Sequence, residues 1–179
     1  QTELDKNAYS NLHSFIEQRI TGLLKTKGIA YDVINSVMHI DKSHIYDLEN
    51  RAKALNDLKS KPNFIHLVIG FKRVANIIAE TTEFVPFDKN KLVEPEEINL
   101  YKSLQKLHND IDSALQKKDY PLALQYLISF GKVIDAFFDA VLVNCDDEVL
   151  HNNRHSLLRE VKNEFLRVAD LSLIVLETE

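Results

Sequence analysis

Four pieces near the end of the chain decide its reading: Phe137-Phe138-Asp139, Asp146-Asp147, Asn152-Asn153-Arg154, and Phe165-Leu166-Arg167-Val168-Ala169-Asp170. They fall in order along two long helical segments, where polar residues interrupt otherwise apolar stripes. From Leu122 to Leu142 the chain is apolar nearly all round, as a helix buried on every side must be. Asp146-Asp147 opens the next helix, whose stripe is Leu150, Leu157, Leu158, Val161, Phe165 and Val168. That periodicity is α-helical.

The same period extends outward to the N-terminus. From about Lys6 to Lys27, Leu12, Phe15, Ile16, Ile20, Leu23 and Leu24 draw one stripe, which Gly28 ends. Tyr31 to Ile40 reads as a short helix with Asp32 as N-cap, and Asp41 or Ser43 is placed to cap the next, running to about Ser60. Pro62 starts a helix with the stripe Phe64, Leu67, Val68, Phe71, Val74, Ala75 and Ile78. Pro95-Glu96-Glu97 starts another, with carboxylates at the positive end of its dipole, and Pro121 the central one. Residues 81–94 lack helical period and read as a loop. No β-alternation appears, so the expected fold is all-α: a single helical domain, 1–179, of about seven helices in two packed sub-bundles, 1–80 and 95–179.

Bulk composition narrows function by exclusion. With 45% apolar and 27% charged residues, the 179-residue chain is too hydrophobic for disorder and long enough to bury a core. Its net charge of −5 argues against wholesale coating of nucleic acid but permits a local basic face. The single cysteine, Cys145, cannot form an internal disulfide and suits a reducing cytoplasm. No apolar run approaches a membrane span, and the start is not a signal peptide. A chain that begins without Met, directly in a helix, reads as a fragment of a longer protein with any active site elsewhere. No phosphate-cradling glycine loop or nucleophile elbow is present, and four glycines could scarcely build one.

Several polar residues break the apolar pattern. Arg154 sits at the end of a stripe and needs a carboxylate; Asp139 on the preceding helix is the natural candidate for an ion pair clamping the last two helices, the alternative being a phosphate or base edge. Arg167 and Asp170, three apart, read as an intrahelical pair worth about 0.2–0.5 kcal/mol. Lys72, Arg73 and Asn76 place two cations and an amide among core residues, a combination that can hold a phosphate and read a base edge. The last helix is the most basic stretch, with His151, Arg154, His155, Arg159, Lys162 and Arg167. His151 and His155 have two-ligand spacing, but a cation lies between them and no third ligand follows. His108-Asn109-Asp110 is the nearest approach to a hydrolase's metal cluster.

Together, Tyr31-Asp32-Val33-Ile34 with Arg51 and Ala52, Phe71-Lys72-Arg73-Val74-Ala75-Asn76-Ile77, Leu92-Val93-Glu94-Pro95-Glu96 with Leu100-Tyr101, Val133 through Val141, and Asn153-Arg154 with Leu157-Leu158 through Asp170 resemble one family. It is the C-terminal anticodon-binding domain of the bacterial glycyl-tRNA synthetase beta subunit. The resemblance covers most of the chain and is densest from Asp135 onward. A weaker similarity extends to the helical anticodon-binding domains of arginyl- and cysteinyl-tRNA synthetases. It implies a module that positions glycine tRNA while ATP-dependent aminoacylation proceeds in an alpha subunit. The partners implied are that subunit, in a cytoplasmic heterotetramer, and the tRNA anticodon stem–loop, with neither DNA nor a membrane. ATP and Mg would serve the whole enzyme, and this segment would be non-catalytic with no cofactor of its own. The RNA-binding residues expected on this basis are Lys72, Arg73 and Asn76 on one surface and Asn153, Arg159 and Lys162 on another, with Asp139 and Arg154 as a structural ion pair and Phe84 and Phe87 as stacking platforms. The rival reading is a protein-docking module using Leu12, Phe15 and Ile16.

Overall fold

The punctuation read from the sequence sets the helix ends. In a computed structural model that describes residues 3–79 and 85–176, seven α-helices follow one another. They are α1 (Glu3–Thr26), α2 (Tyr31–Val37), α3 (Ile45–Leu58), α4 (Pro62–Ala79), α5 (Pro95–Gln116), α6 (Tyr120–Ala140) and α7 (Glu148–Leu166). Short 3-10 turns occupy Lys89–Lys91 and Leu171–Leu173. Gly28 ends α1 at φ 78°, a left-handed conformation that costs glycine nothing. Asp119 caps α6 by accepting from the Leu122 N–H, and Asp147 caps α7 by accepting from Val149 and Leu150.

Two expected caps are absent. Asp32 lies inside the first turn of α2, not before it; Ala30 holds the N-cap position. Neither Asp41 nor Ser43 caps α3: His44 precedes that helix, and Asp41 is spent on the Ser43 N–H at 2.9 Å.

α6 is the central element, but it is not buried all round: Pro121, Gln125, Ser129, Lys132 and Ala136, spaced three or four apart, leave one face exposed. It packs along α5 as a hairpin and also against α3 and α4, while α4 packs on α7. By length and composition α6 would suit a membrane span, contrary to the expectation that no segment would. Here its apolar faces are covered by neighbouring helices, and Lys132, Asp135 and Asp139 are exposed. The core is continuous from Leu24 and Val33 through Phe64 and Phe71 to Phe137 and Phe165. Phe71 stacks on Phe165 at 4.6 Å, joining α4 to α7.

Polar ties close the far end of the bundle. Asp32 accepts from Lys59 at 2.9 Å and from the Val175 N–H at 2.7 Å, pinning the C-terminal segment to α2 and α3. The Asp170 N–H donates to the Ser36 carbonyl at 2.7 Å. Arg167 does not pair with Asp170: its guanidinium bonds Glu164 and reaches across to Asp112 on α5. Asp47 on α3 accepts from Arg51 and from the Tyr120 hydroxyl. Burial, reinforced by that hydrogen bond to Asp47, pushes the Tyr120 phenol up to about 12.

Burial alone would raise the Asp32 pKa, but its bonds to Lys59 and the Val175 N–H outweigh that and hold it below the usual 3.8. A carboxyl depressed in the folded state stabilises fully above its unfolded pKa and loses that contribution as pH falls through the folded value. Thermal melts of Asp32→Asn beside wild type should therefore differ most at neutral pH, and the gap should narrow below about pH 4.

Candidate nucleic-acid interface

Four consecutive residues of α7, Asn153 to Ser156, are polar yet buried. Each is satisfied by a segment outside α7. The Asn153 carboxamide donates to the Asp88 carbonyl at 3.1 Å and accepts from the Asp88 N–H at 2.9 Å. Arg154 donates through Nε to Glu97 at the start of α5 and through Nη1 to the Leu142 carbonyl at 2.9 Å. His155 Nε2 bonds the Asn144 carboxamide oxygen at 2.9 Å, with its ring stacked on His151 at 4.3 Å. The Ser156 hydroxyl donates to the Val85 carbonyl. One helical turn thus holds both the 85–88 segment and the 142–144 turn after α6.

The ion pair within this set differs from expectation. Arg154 is paired with Glu97, and Asp139 is exposed on the outer side of α6. The reason is helix phase: Phe137 and Phe138 both point into the core, so Asp139, a further 100° round, faces outward. Glu97 also accepts from the Val93 and Glu94 N–H groups at 2.7 and 2.9 Å, satisfying orphan donors at the start of α5. Burial disfavours the Arg154 charge, but the bond to Glu97 outweighs it and lifts the pKa above the ordinary arginine value. Sequence reasoning missed Glu97. The signal was the carboxylate at the third helical position after Glu94-Pro95, a site that commonly turns back onto the preceding N–H groups.

The expected RNA-binding residues separate into three groups. Asn153 is 3% exposed with its amide occupied by Asp88, so it belongs to the scaffold and not to a surface. On α4, Asn76 and Arg73 are exposed and Lys72 half-buried. Lys72 and Asn76 share a face, but Arg73 turns away to stack its guanidinium on Phe138, 4.2 Å from the ring centroid. Arg73 thereby lines a hollow of about 410 Å³ with Ile77, Asp139 and the 140–144 turn. Half-buried Arg159 and Lys162 line a different hollow of about 610 Å³ between α7, Ile78 and the 85–87 segment. α4 contributes Arg73 and Ile77 to the first hollow and Ile78 to the second. Phe87 packs on Tyr101 at 5.1 Å and is part of that wall, while Phe84 lies outside the described residues.

Residues 67–171, from within α4 to the Leu171–Leu173 turn, match the DALR anticodon binding domain. The chain belongs to that family. Both hollows, and every residue expected to touch RNA, lie inside this DALR segment. The chain is 37% identical over 161 residues to the glycine–tRNA ligase beta subunit of Sulfurihydrogenibium sp. (strain YO3AOP1), covering 90% of this chain and 24% of that protein. Against the glycine–tRNA ligase beta subunit of Clostridioides difficile (strain 630), identity is 33% over 177 residues, 97% of this chain and 26% of that protein. The chain therefore spans about a quarter of the length of these curated relatives. The DALR match starts after α1–α3, which nevertheless share its core.

Replacing Arg154 by Met should cost about 3–5 kcal/mol in urea unfolding, because Glu97 is left charged, buried and short of a partner. Adding Glu97→Gln should cost less in that background than in wild type, the coupling expected of a direct pair.

Proposed function

We propose that this chain is the anticodon-binding module of a glycine–tRNA ligase beta subunit. In this reading it grips the anticodon stem–loop of glycine tRNA in the cytoplasm, while an alpha subunit within a heterotetramer carries out ATP- and Mg-dependent aminoacylation. The observation that carries it is the DALR match over 67–171, which spans all the cations proposed to meet RNA. Identity to glycine–tRNA ligase beta subunits over 90% or more of the chain supports the glycine assignment.

The module's work is positioning. Loop bases of an RNA hairpin are unstacked and can be read by aromatic or guanidinium planes and by amides, while phosphates fix the register. Arg73, Lys72 and Asn76 on α4, and Arg159 and Lys162 on α7, offer those groups. An overall charge of −5 means the attraction is local, so affinity should be modest and salt-sensitive.

A second role is supported by a separate observation. On α1, Ile20 and Leu24 are buried, yet Leu12 and Phe15 are 57% and 52% exposed and Ile16 is exposed beside them. That unburied half-stripe suits contact with another protein surface, the docking reading, and is compatible with RNA binding elsewhere.

Titration with the glycine tRNA anticodon stem–loop at two salt concentrations tests the proposal. Wild type should prefer the native loop over one with altered anticodon, and Lys72→Ala/Arg73→Ala/Asn76→Ala should abolish that preference. Arg159→Ala/Lys162→Ala should weaken all loops alike and lower the salt slope by about one for each phosphate no longer neutralised. Failure to bind either loop would leave the docking role alone.

A further inference from the structure

We propose that the hollow between α4 and the turn after α6 is a subsite for one unstacked nucleobase bearing an exocyclic amino group, and that Asp139 reads that group. The inference rests on the anticodon-binding reading above and goes beyond it by naming a reader and the base chemistry it selects.

The walls are built for a flat ring. Arg73 lies over Phe138 at 4.2 Å, which covers one side of the guanidinium, and the residue is otherwise exposed, so a base can stack on it from the hollow. Across the hollow Leu142 is 71% exposed, an apolar side chain held at the lip although water surrounds it. Its backbone is not free to move inward, because the Leu142 carbonyl is bound by buried Arg154 and the neighbouring Asn144 by buried His155. Ile77 and Val141 add apolar surface to the lining. A volume of about 410 Å³ falls within the range that accommodates small planar ligands.

Asp139 supplies the selection. It is exposed on the same hollow and forms no hydrogen bond or ion pair among the described residues. It sits in the last turn of α6, where the helix dipole makes a carboxylate least favourable. Arg154 makes no use of an acid there, since Glu97 and not Asp139 neutralises it. The Asp139 carboxylate offsets the pull of the Arg73 guanidinium on phosphate, which favours a neutral base over the backbone in this hollow. Carboxylates accept from amino groups, as from cytosine N4, and are repelled by the carbonyl oxygen that uracil presents at that position.

The test uses the anticodon stem–loop of glycine tRNA and a set in which each amino-bearing loop base is changed singly to uracil. Wild-type chain should lose roughly tenfold in affinity at one position, and Asp139→Asn should reduce that loss to within about threefold by making the edge contact indifferent. Arg73→Ala should weaken every loop in the set by about tenfold, the loss of a stacking plane. Asp139 is exposed and has no partner among the described residues, so its variant should melt with wild type, which circular dichroism checks. If wild type binds the native loop but Asp139→Asn keeps the full uracil penalty, the subsite is wrong and anticodon binding stands. If wild type binds no loop, the subsite and the reading beneath it both fall.

Discussion

Arg154 is a charge placed inside the protein, and much of the architecture follows from the need to satisfy it. Its guanidinium joins three places that are distant in sequence: the start of α5 through Glu97, the turn after α6 through Leu142, and α7 itself. Glu97 in turn closes the backbone of Val93 and Glu94, so one carboxylate ends a loop and starts a helix. Flanking residues repeat the device. Asn153 and Ser156 hold the 85–88 segment, and His155 holds Asn144. Buried polar groups are costly unless fully paired, so these four residues admit one arrangement of the two connecting segments.

That arrangement makes the surface. The groups proposed to meet RNA, Arg73 over Phe138, Asp139, and Arg159 with Lys162, all border segments that α7 pins from within. Rigid walls lower the entropic cost of receiving a flexible RNA loop. The acidic balance of the chain confines attraction to such local features, which favours selection over bulk affinity. α1 stands apart: its inner end is in the core, and the exposed apolar residues of its outer part belong to neither hollow's lining.

Much of the fold is legible in the sequence, because its signals are local. Pro62 and Pro95 start their helices, Gly28 stops α1 with a left-handed turn, Asp147 caps α7, and the apolarity of α6 places it at the centre. What escapes a sequence reading depends on tertiary placement. Asp139 and Glu97 are both carboxylates within reach of a generic arginine; only the phase of α6, set by two inward phenylalanines, excludes the nearer one. Asn153 has the chemistry of a base-reading amide, and asparagine is usually exposed, yet the backbone of the 85–88 segment needs partners and takes it. Arg73 adjoins Lys72 and Asn76 in sequence, but helical rotation gives it a different neighbourhood, against the end of α6. Asp32 and Arg167 depart from expectation for the same reason, their partners being Val175 and Asp112.

Amide hydrogen exchange, compared between wild type and Arg154→Met under conditions where both remain folded, would show whether the buried α7 residues set the surface. Faster exchange confined to residues 85–94 and 141–147, with α4 and α6 still protected, is the result this structure requires. Unchanged protection in those two segments, or a uniform loss across all helices, would mean that the buried pair does not position them.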